Sequence, residues 1–301
     1  MRYLLSLALA LLCACQSTPA LPPLPEWQSP LGRYDPELGR ILDLRSGERI
    51  SAGQLVDELA RADRVMVGER HDNPDHHALQ RWLLQALAQR RETGSLLLEM
   101  LNPDQQKDVN RVKAATAQGE SPDDLAAALR WQRGWPWSLY APVVEYALAQ
   151  PYPLLSANLD RAEIADIYRR RPAVAGAAAA TAVQDELLAQ IRVAHCDMLP
   201  ETGLPAMLAV QQQRDRRMAE RLSDAPEPAV LFAGAFHVRR DIGAPLHLNG
   251  RRALGTRVLV LAEAGEALDA SQADFAWFTP GQERQDMCAS IRKAPLAKKV
   301  R

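Results

Sequence analysis

A chain of 301 residues that is 47% hydrophobic and 24% charged is long enough to bury a substantial core, as one elaborated domain or one domain with a helical insertion. Its 36 basic and 37 acidic residues nearly cancel, so no global field points to nucleic acid or to an anionic surface as a partner. Basic residues do gather at the end, in Arg292-Lys293 and Lys298-Lys299-Val300-Arg301, and residues 292–301 read as a solvated, frayed tail.

At the other end, Arg2 is a short positive start, and residues 3–12 are a mostly apolar run too short to span a bilayer, with small residues around Cys13 and Cys15. This is the pattern of an export signal covering residues 1–14. Leu12-Cys13-Ala14-Cys15 further resembles a bacterial lipobox, in which cleavage before Cys15 leaves that cysteine to carry a lipid anchor. Cys13 is the poorer choice, because Leu12 is too large for the cleavage position. Gln16, rather than Asp, follows Cys15, which by the same resemblance favours the outer membrane, with the protein facing the periplasm. Once Cys13 is removed and Cys15 carries lipid, only Cys196 and Cys288 remain, and in an oxidising compartment the pair predicts a disulfide. The competing reading makes Cys196, beside His195, a nucleophile or metal ligand.

Residues 15–35, rich in Pro and Ser, read as a tether to the main domain at 36–291. Residues 41–50, with Gly47 near the middle, suggest a small hairpin, and Ser51 caps a helix carrying Leu55, Val56 and Leu59 on one face. The stretch 65–77 is richer in chemistry. A short apolar run predicts a buried strand ending at Glu69 and His71, and Asn73-Pro74 supplies the cap and first residue of a helix. The helix's apolar stripe, Leu79, Trp82, Leu83, Ala86 and Leu87, extrapolates back to His76, which places that side chain inward, beside the turn; His77 falls toward the edge of the face.

The same organisation recurs. A strand ends on Glu99 before Asn102-Pro103, another ends on Asn158, and a third ends on Gly234 and delivers His237. Strands separated by helices predict an α/β fold with a mostly parallel sheet, whose C-terminal strand ends share one edge where ligands bind. Between the second and third strands, residues 103–150 form a helical insertion, and three of the chain's six Trp and three of its six Tyr fall between Trp131 and Tyr152. They suit either core packing or a wall for a flat ligand, and Tyr140 is the best placed to reach a metal, with Tyr146 and Tyr152 as alternatives. Residues 172–194 are Ala-rich and carry little information. In the helix after Gly203, Arg214 and Asp215 lie on an apolar stripe and predict polar support for neighbouring side chains.

Gly68-Glu-Arg-His71 with Asp72 and His76-His77, Leu98-Glu99-Met100, Trp135-Pro-Trp137, Ala157-Asn158, His195-Cys196, Gln213-Arg214-Asp215 with Met218-Ala219, and Gly234-Ala-Phe-His237 together resemble the ChaN family of haem-binding uptake lipoproteins. The resemblance runs from about Val65 to the final strands. It implies haem held through a tyrosine, here assigned to Tyr140, as a pair between two subunits. The paired Gly-x-x-His segments also resemble the wider Tiki and TraB group, which includes metal-dependent proteases, and the erythromycin esterases. Those relatives imply metal or acid–base roles for Glu69, His71, Glu99 and His237, with His76, Asn158, Arg214 and Asp215 supporting. Two functions follow: an outer-membrane lipoprotein that binds haem in iron uptake, or a hydrolase in which Glu69, His71 and His237 hold a divalent Zn, Fe or Mn ion. The lack of a compact His-Glu-x-x-His unit weighs against the second.

Overall fold

Apolar strands that must be covered on both faces give the molecule its layers. A computed structural model describes residues 19–283 and 288. The expected signal, the Cys15 lipidation site and the basic tail lie outside the described residues. The strands are β1 (Ile41–Asp43), β2 (Glu48–Ile50), β3 (Arg64–Glu69), β4 (Ser95–Leu98), β5 (Leu154–Ser156), β6 (Ala229–Gly234), β7 (Thr256–Glu263) and β8 (Phe275–Thr279). They form one sheet in the order β2-β1-β8-β7-β3-β6-β4-β5. Strands β3 to β8 pair in parallel, and the β1–β2 hairpin adds antiparallel on β8.

The helices are α1 (Ala52–Ala60), α2 (Pro74–Ala88), α3 (Gln106–Ala117), α4 (Leu125–Ala128), α5 (Trp137–Leu148), α6 (Arg161–Arg170), α7 (Thr181–Ala194), α8 (Leu204–Asp224), α9 (Ala235–Val238) and α10 (Gly250–Leu254). Alternation along each strand divides the core. Val65 and Val67 of β3 pack with the buried faces of α1, α2, α3 and α5, whereas Met66 packs with Met218, Ala219 and Leu222 of α8. The helical insertion therefore completes the layer that α1 and α2 begin. Helix starts follow local chemistry: Ser51 and Gln54 form a reciprocal capping box, and the Asn73 side chain accepts the Asp75 N–H ahead of Pro74.

Two features bear on chain organisation. The sulfurs of Cys196, just beyond α7, and Cys288 are bonded at 2.05 Å, so the Cys196 thiol is not available as a nucleophile or metal ligand. The expected free tether needs correction over residues 19–35. That segment runs antiparallel along α2: Arg90 Nη1 donates to the Pro19 carbonyl at 2.8 Å, Trp82 Nε1 to Pro22 at 2.9 Å, and the Gln28 and Ser29 amides to the Asp75 carboxylate at 2.7 and 2.8 Å. Leu31 then forms a ladder bridge with Gly281. Its prolines preorganise an extended strap whose carbonyls and amides find partners on the helix.

Candidate functional site

The strand order decides which residues meet. Because β6 lies between β3 and β4, Gly234 stands opposite Glu69 and beside the residue that follows β4, Glu99. A Cβ at Gly234 would lie 2.9 Å from His71 Nε2 and 3.5 Å from Glu99 Oε2. Glycine is thus what allows Glu69, His71, Glu99 and His237, each expected at a strand end, to gather at one place.

They gather as two ion pairs. In the outer pair, His71 Nδ1 donates to Glu69 Oε1 at 2.7 Å, and the Tyr140 hydroxyl donates to the same oxygen at 3.1 Å. His77 lies on the other side, with Nε2 3.6 Å from Glu69 Oε2 and 3.1 Å from the His71 carbonyl. Desolvation opposes protonation of His71, but the Glu69 carboxylate outweighs it and raises the imidazole to about 9. The His71 side chain remains 40% exposed, and the Trp135 ring packs edge-on against it at 4.7 Å.

The inner pair is sealed. Glu99 Oε2 accepts the Gly234 N–H at 2.7 Å, and Glu99 Oε1 lies 3.4 Å from His237 Nε2. His237 Nδ1 donates to Asp215 Oδ1 at 2.5 Å, reaching across from α9 to α8. Burial works against charge on His237, yet Glu99 and Asp215 raise it to about 10. Burial would push Glu99 up, but the charge of His237, followed by that of His71 and Arg214, holds it well below the usual carboxylate range. Asp215 moves the other way, upward, chiefly from desolvation. Asn158 Nδ2 donates to the Glu99 carbonyl at 2.9 Å and fixes the main chain from β5.

Three expectations change. His76 is buried but faces elsewhere: it accepts the Arg70 N–H at 2.8 Å and lies 2.8 Å from Thr279 Oγ1, and burial keeps its pKa well below the ordinary value. His77, which sequence reasoning put at the edge, is the helix histidine that touches Glu69; its ring also packs on Tyr140 at 4.3 Å. Tyr140 does not fit the role of an iron ligand. It is 1% exposed, burial pushes its phenol well above the usual range, and its hydroxyl donates a hydrogen bond to Glu69. Of the other tyrosines in that stretch, Tyr152 is buried, whereas Tyr146 is half-buried on α5 and feels the charge of Arg81.

The metal triad also needs correction. Among the described residues no three His, Cys, Asp or Glu side chains are grouped to hold a metal ion. Glu69 and His71 face each other, and His237 is engaged by Glu99 and Asp215, so their charges are spent on one another. Beside this centre, a cavity of about 460 Å³ opens between the strap, α2 and α5. His77 is shared by both, and Trp82, Leu139, Pro142 and Arg81 contribute to the cavity wall.

Residues 55–248 match the family model described as haem-binding uptake, Tiki superfamily, ChaN. Among solved structures, the ChaN of Campylobacter jejuni, described as binding haem cofacially, is 28% identical with a TM-score of 0.71, covering 80% of this chain and 97% of its own. The RRSP effector domain of a MARTX toxin from Vibrio vulnificus is 17% identical with a TM-score of 0.44, covering 79% of this chain and 39% of that one. An erythromycin esterase, EreC, is 14% identical with a TM-score of 0.40, covering 80% and 82%. A search of curated protein sequences finds no match.

Proposed function

Because the chain belongs to the ChaN family of haem-binding uptake proteins in the Tiki superfamily, we propose that it binds haem in iron uptake, as a lipoprotein anchored by Cys15 in the outer membrane and facing the periplasm. The observation that carries the haem reading is the likeness to Campylobacter ChaN along almost the whole of that protein. The lipobox-like Leu12-Cys13-Ala14-Cys15 supports the anchor.

The cavity between the strap, α2 and α5 is the place that suits the ligand. Trp82, Leu139 and Pro142 offer apolar surface to a porphyrin, and Arg81 offers a partner to a propionate. Tyr146, half-buried on α5 and near enough to feel the charge of Arg81, lies outside the cavity wall and is the phenol we assign to the iron. Haem left partly open there can stack on the haem of a second copy, which is how we read the cofacial arrangement of the relative for this chain. Haem supplies iron as cargo; the protein's share is to bind, orient and shield it.

Titration with hemin tests this. A Soret shift saturating at micromolar protein is expected, weakened about tenfold or more by Arg81→Glu and changed in its charge-transfer bands by Tyr146→Phe. Tyr140→Phe should leave the spectrum as it is. Absence of any Soret shift in the wild type overturns the reading.

A second reading rests on one atom. Glu69 Oε2 is buried and has no hydrogen-bond partner among the described residues, and His71 beside it is half-exposed. An unpaired carboxylate oxygen next to an imidazolium is an acid–base couple, so ester hydrolysis without a metal is the form in which the hydrolase alternative survives. Turnover of activated esters that Glu69→Gln does not diminish, or no turnover at all, removes it.

A further inference from the structure

Resting on the lipid-anchor reading above, we propose that the pole of the sheet formed by the N-terminal ends of its parallel strands lies against the bilayer. The loop carrying Arg251, Arg252 and Leu254 sits among the headgroups, and the Glu/His centre faces away.

The strap sets the direction. Helix α2 starts at Pro74, at the edge that carries Glu69, and finishes near Arg90, at the opposite edge. The strap runs against it, so Pro19 is held at the far pole by Arg90 while Ser29 reaches Asp75 at the site's edge. Cys15 precedes Pro19 by four residues. Four fully extended residues span about 14 Å at most. A lipid on Cys15 is thereby confined to the neighbourhood of Arg90, and a long, free-swinging tether is ruled out by the docking of residues 19–35.

The surface at that pole has the matching chemistry. Gly255 closes α10 and accepts the Arg64 N–H at 3.1 Å, which places the α10 turn beside the start of β3. Arg251 and Arg252 are exposed on that turn, and Leu254 is 78% exposed, the most open of the large aliphatic side chains among the described residues. Arg257 Nη1 donates to the Leu254 carbonyl at 3.2 Å and the Thr256 carbonyl at 3.1 Å, so the turn is held in shape. Among the described residues, none of Arg251, Arg252 and Arg257 enters an ion pair. Of the acidic groups at this pole, Asp63 packs against Gly255 and Glu227 is engaged by the buried Arg64. A lone exposed leucine means little by itself. An apolar tip ringed by arginines, at the pole from which the anchored chain must leave, is the composition that settles at a lipid–water interface with anionic headgroups. Strand β3 then separates the membrane from the Glu/His edge by roughly 20 Å.

The experiment uses the full lipidated chain reconstituted in vesicles of phosphatidylethanolamine with phosphatidylglycerol, compared with the same chain in detergent by hydrogen exchange. The expected result is slowed exchange, by about fivefold or more, at residues 249–257, with none at 69–77 or 234–239. In the triple variant Arg251→Glu, Arg252→Glu, Leu254→Asp that protection should vanish while the protein still floats with the vesicles. Flotation without protection at 249–257, or with protection at 234–239, overturns the orientation and leaves the anchor standing. A chain that carries no lipid and does not float overturns the anchor, and the orientation falls with it.

Discussion

The two histidine–carboxylate pairs at the sheet edge are chemically alike and physically opposite. His237 is enclosed by Glu99, from the end of β4, and Asp215, from α8, with both ring nitrogens occupied. His71 meets one carboxylate, and its ring is 40% exposed beside Trp135. Burial of every inner partner makes disrupting that pair costly, whereas in the outer pair Glu69 is buried but solvent reaches the His71 ring and weakens its pull. The inner pair is therefore the keystone of the edge, and the outer pair is the part free to answer a ligand.

Removing the keystone should show the largest effect. His237→Ala leaves Glu99 and Asp215 buried without their cation and should cost about 3–5 kcal/mol in urea unfolding. A loss below about 1 kcal/mol would break the contrast between the pairs. Raising the pH attacks the same interaction more gently. His71 and His237 are held at about 9 and about 10 in the fold, above the unfolded value of 6.5, so their contribution is whole below about pH 6.5. It drains away as pH rises toward 10, because the unfolded chain gives up its protons first. Glu99, held low, contributes above its ordinary range and loses that contribution as pH falls. Stability should peak between about pH 4.5 and 6.5, and by pH 10 the drop should be on the order of a few kcal/mol, much reduced in a His237→Gln protein. A flat profile from pH 7 to 10 would count against charged imidazoles at either site.

Gly234→Ala comes next, at about 1–3 kcal/mol, since its methyl would press on the His71 ring. Combining it with His71→Ala should recover most of that loss, and additive effects would show that the crowding lies elsewhere. His71→Ala alone should cost about 1 kcal/mol or less. A larger cost would place the outer pair with the inner one.

Much of this edge was legible because strand ends announce themselves. Apolar runs stopping at Glu69, at Glu99 and at Gly234 define the polar centre, and a helical stripe crossing Arg214-Asp215 marked polar support without naming His237 as the side chain that Asp215 holds. What periodicity could not supply was the strand order. Nothing local says that β6 enters between β3 and β4, and only that insertion makes Gly234 the contact point. Helical phase was also too coarse to separate His76 from His77, because both are buried, on different sides of the same first turn. Tyr140, expected to reach a haem iron, instead reaches the Glu69 carboxylate: an aromatic stretch shows where rings collect, not whether a phenol points to solvent or to a carboxylate. Residues 19–35 misled for a related reason. Proline-rich composition looks the same in a free linker and in a strap whose partners lie on a distant helix.

That strap also redraws where the protein can be cut. A shortened chain beginning at residue 36, the boundary that composition suggests, would strip the Asp75 carboxylate of the Gln28 and Ser29 amides and the Trp82 indole of the Pro22 carbonyl. It would also remove one wall of the cavity beside His77. Each hydrogen bond lost with the strap contributes about 0.5–1.5 kcal/mol, and those to the charged Asp75 about 1.5–3, together a sizeable share of what a domain has to spare. A soluble form intended for ligand measurements should therefore begin no later than Pro19, and a haem affinity obtained from a shorter one would describe a different pocket.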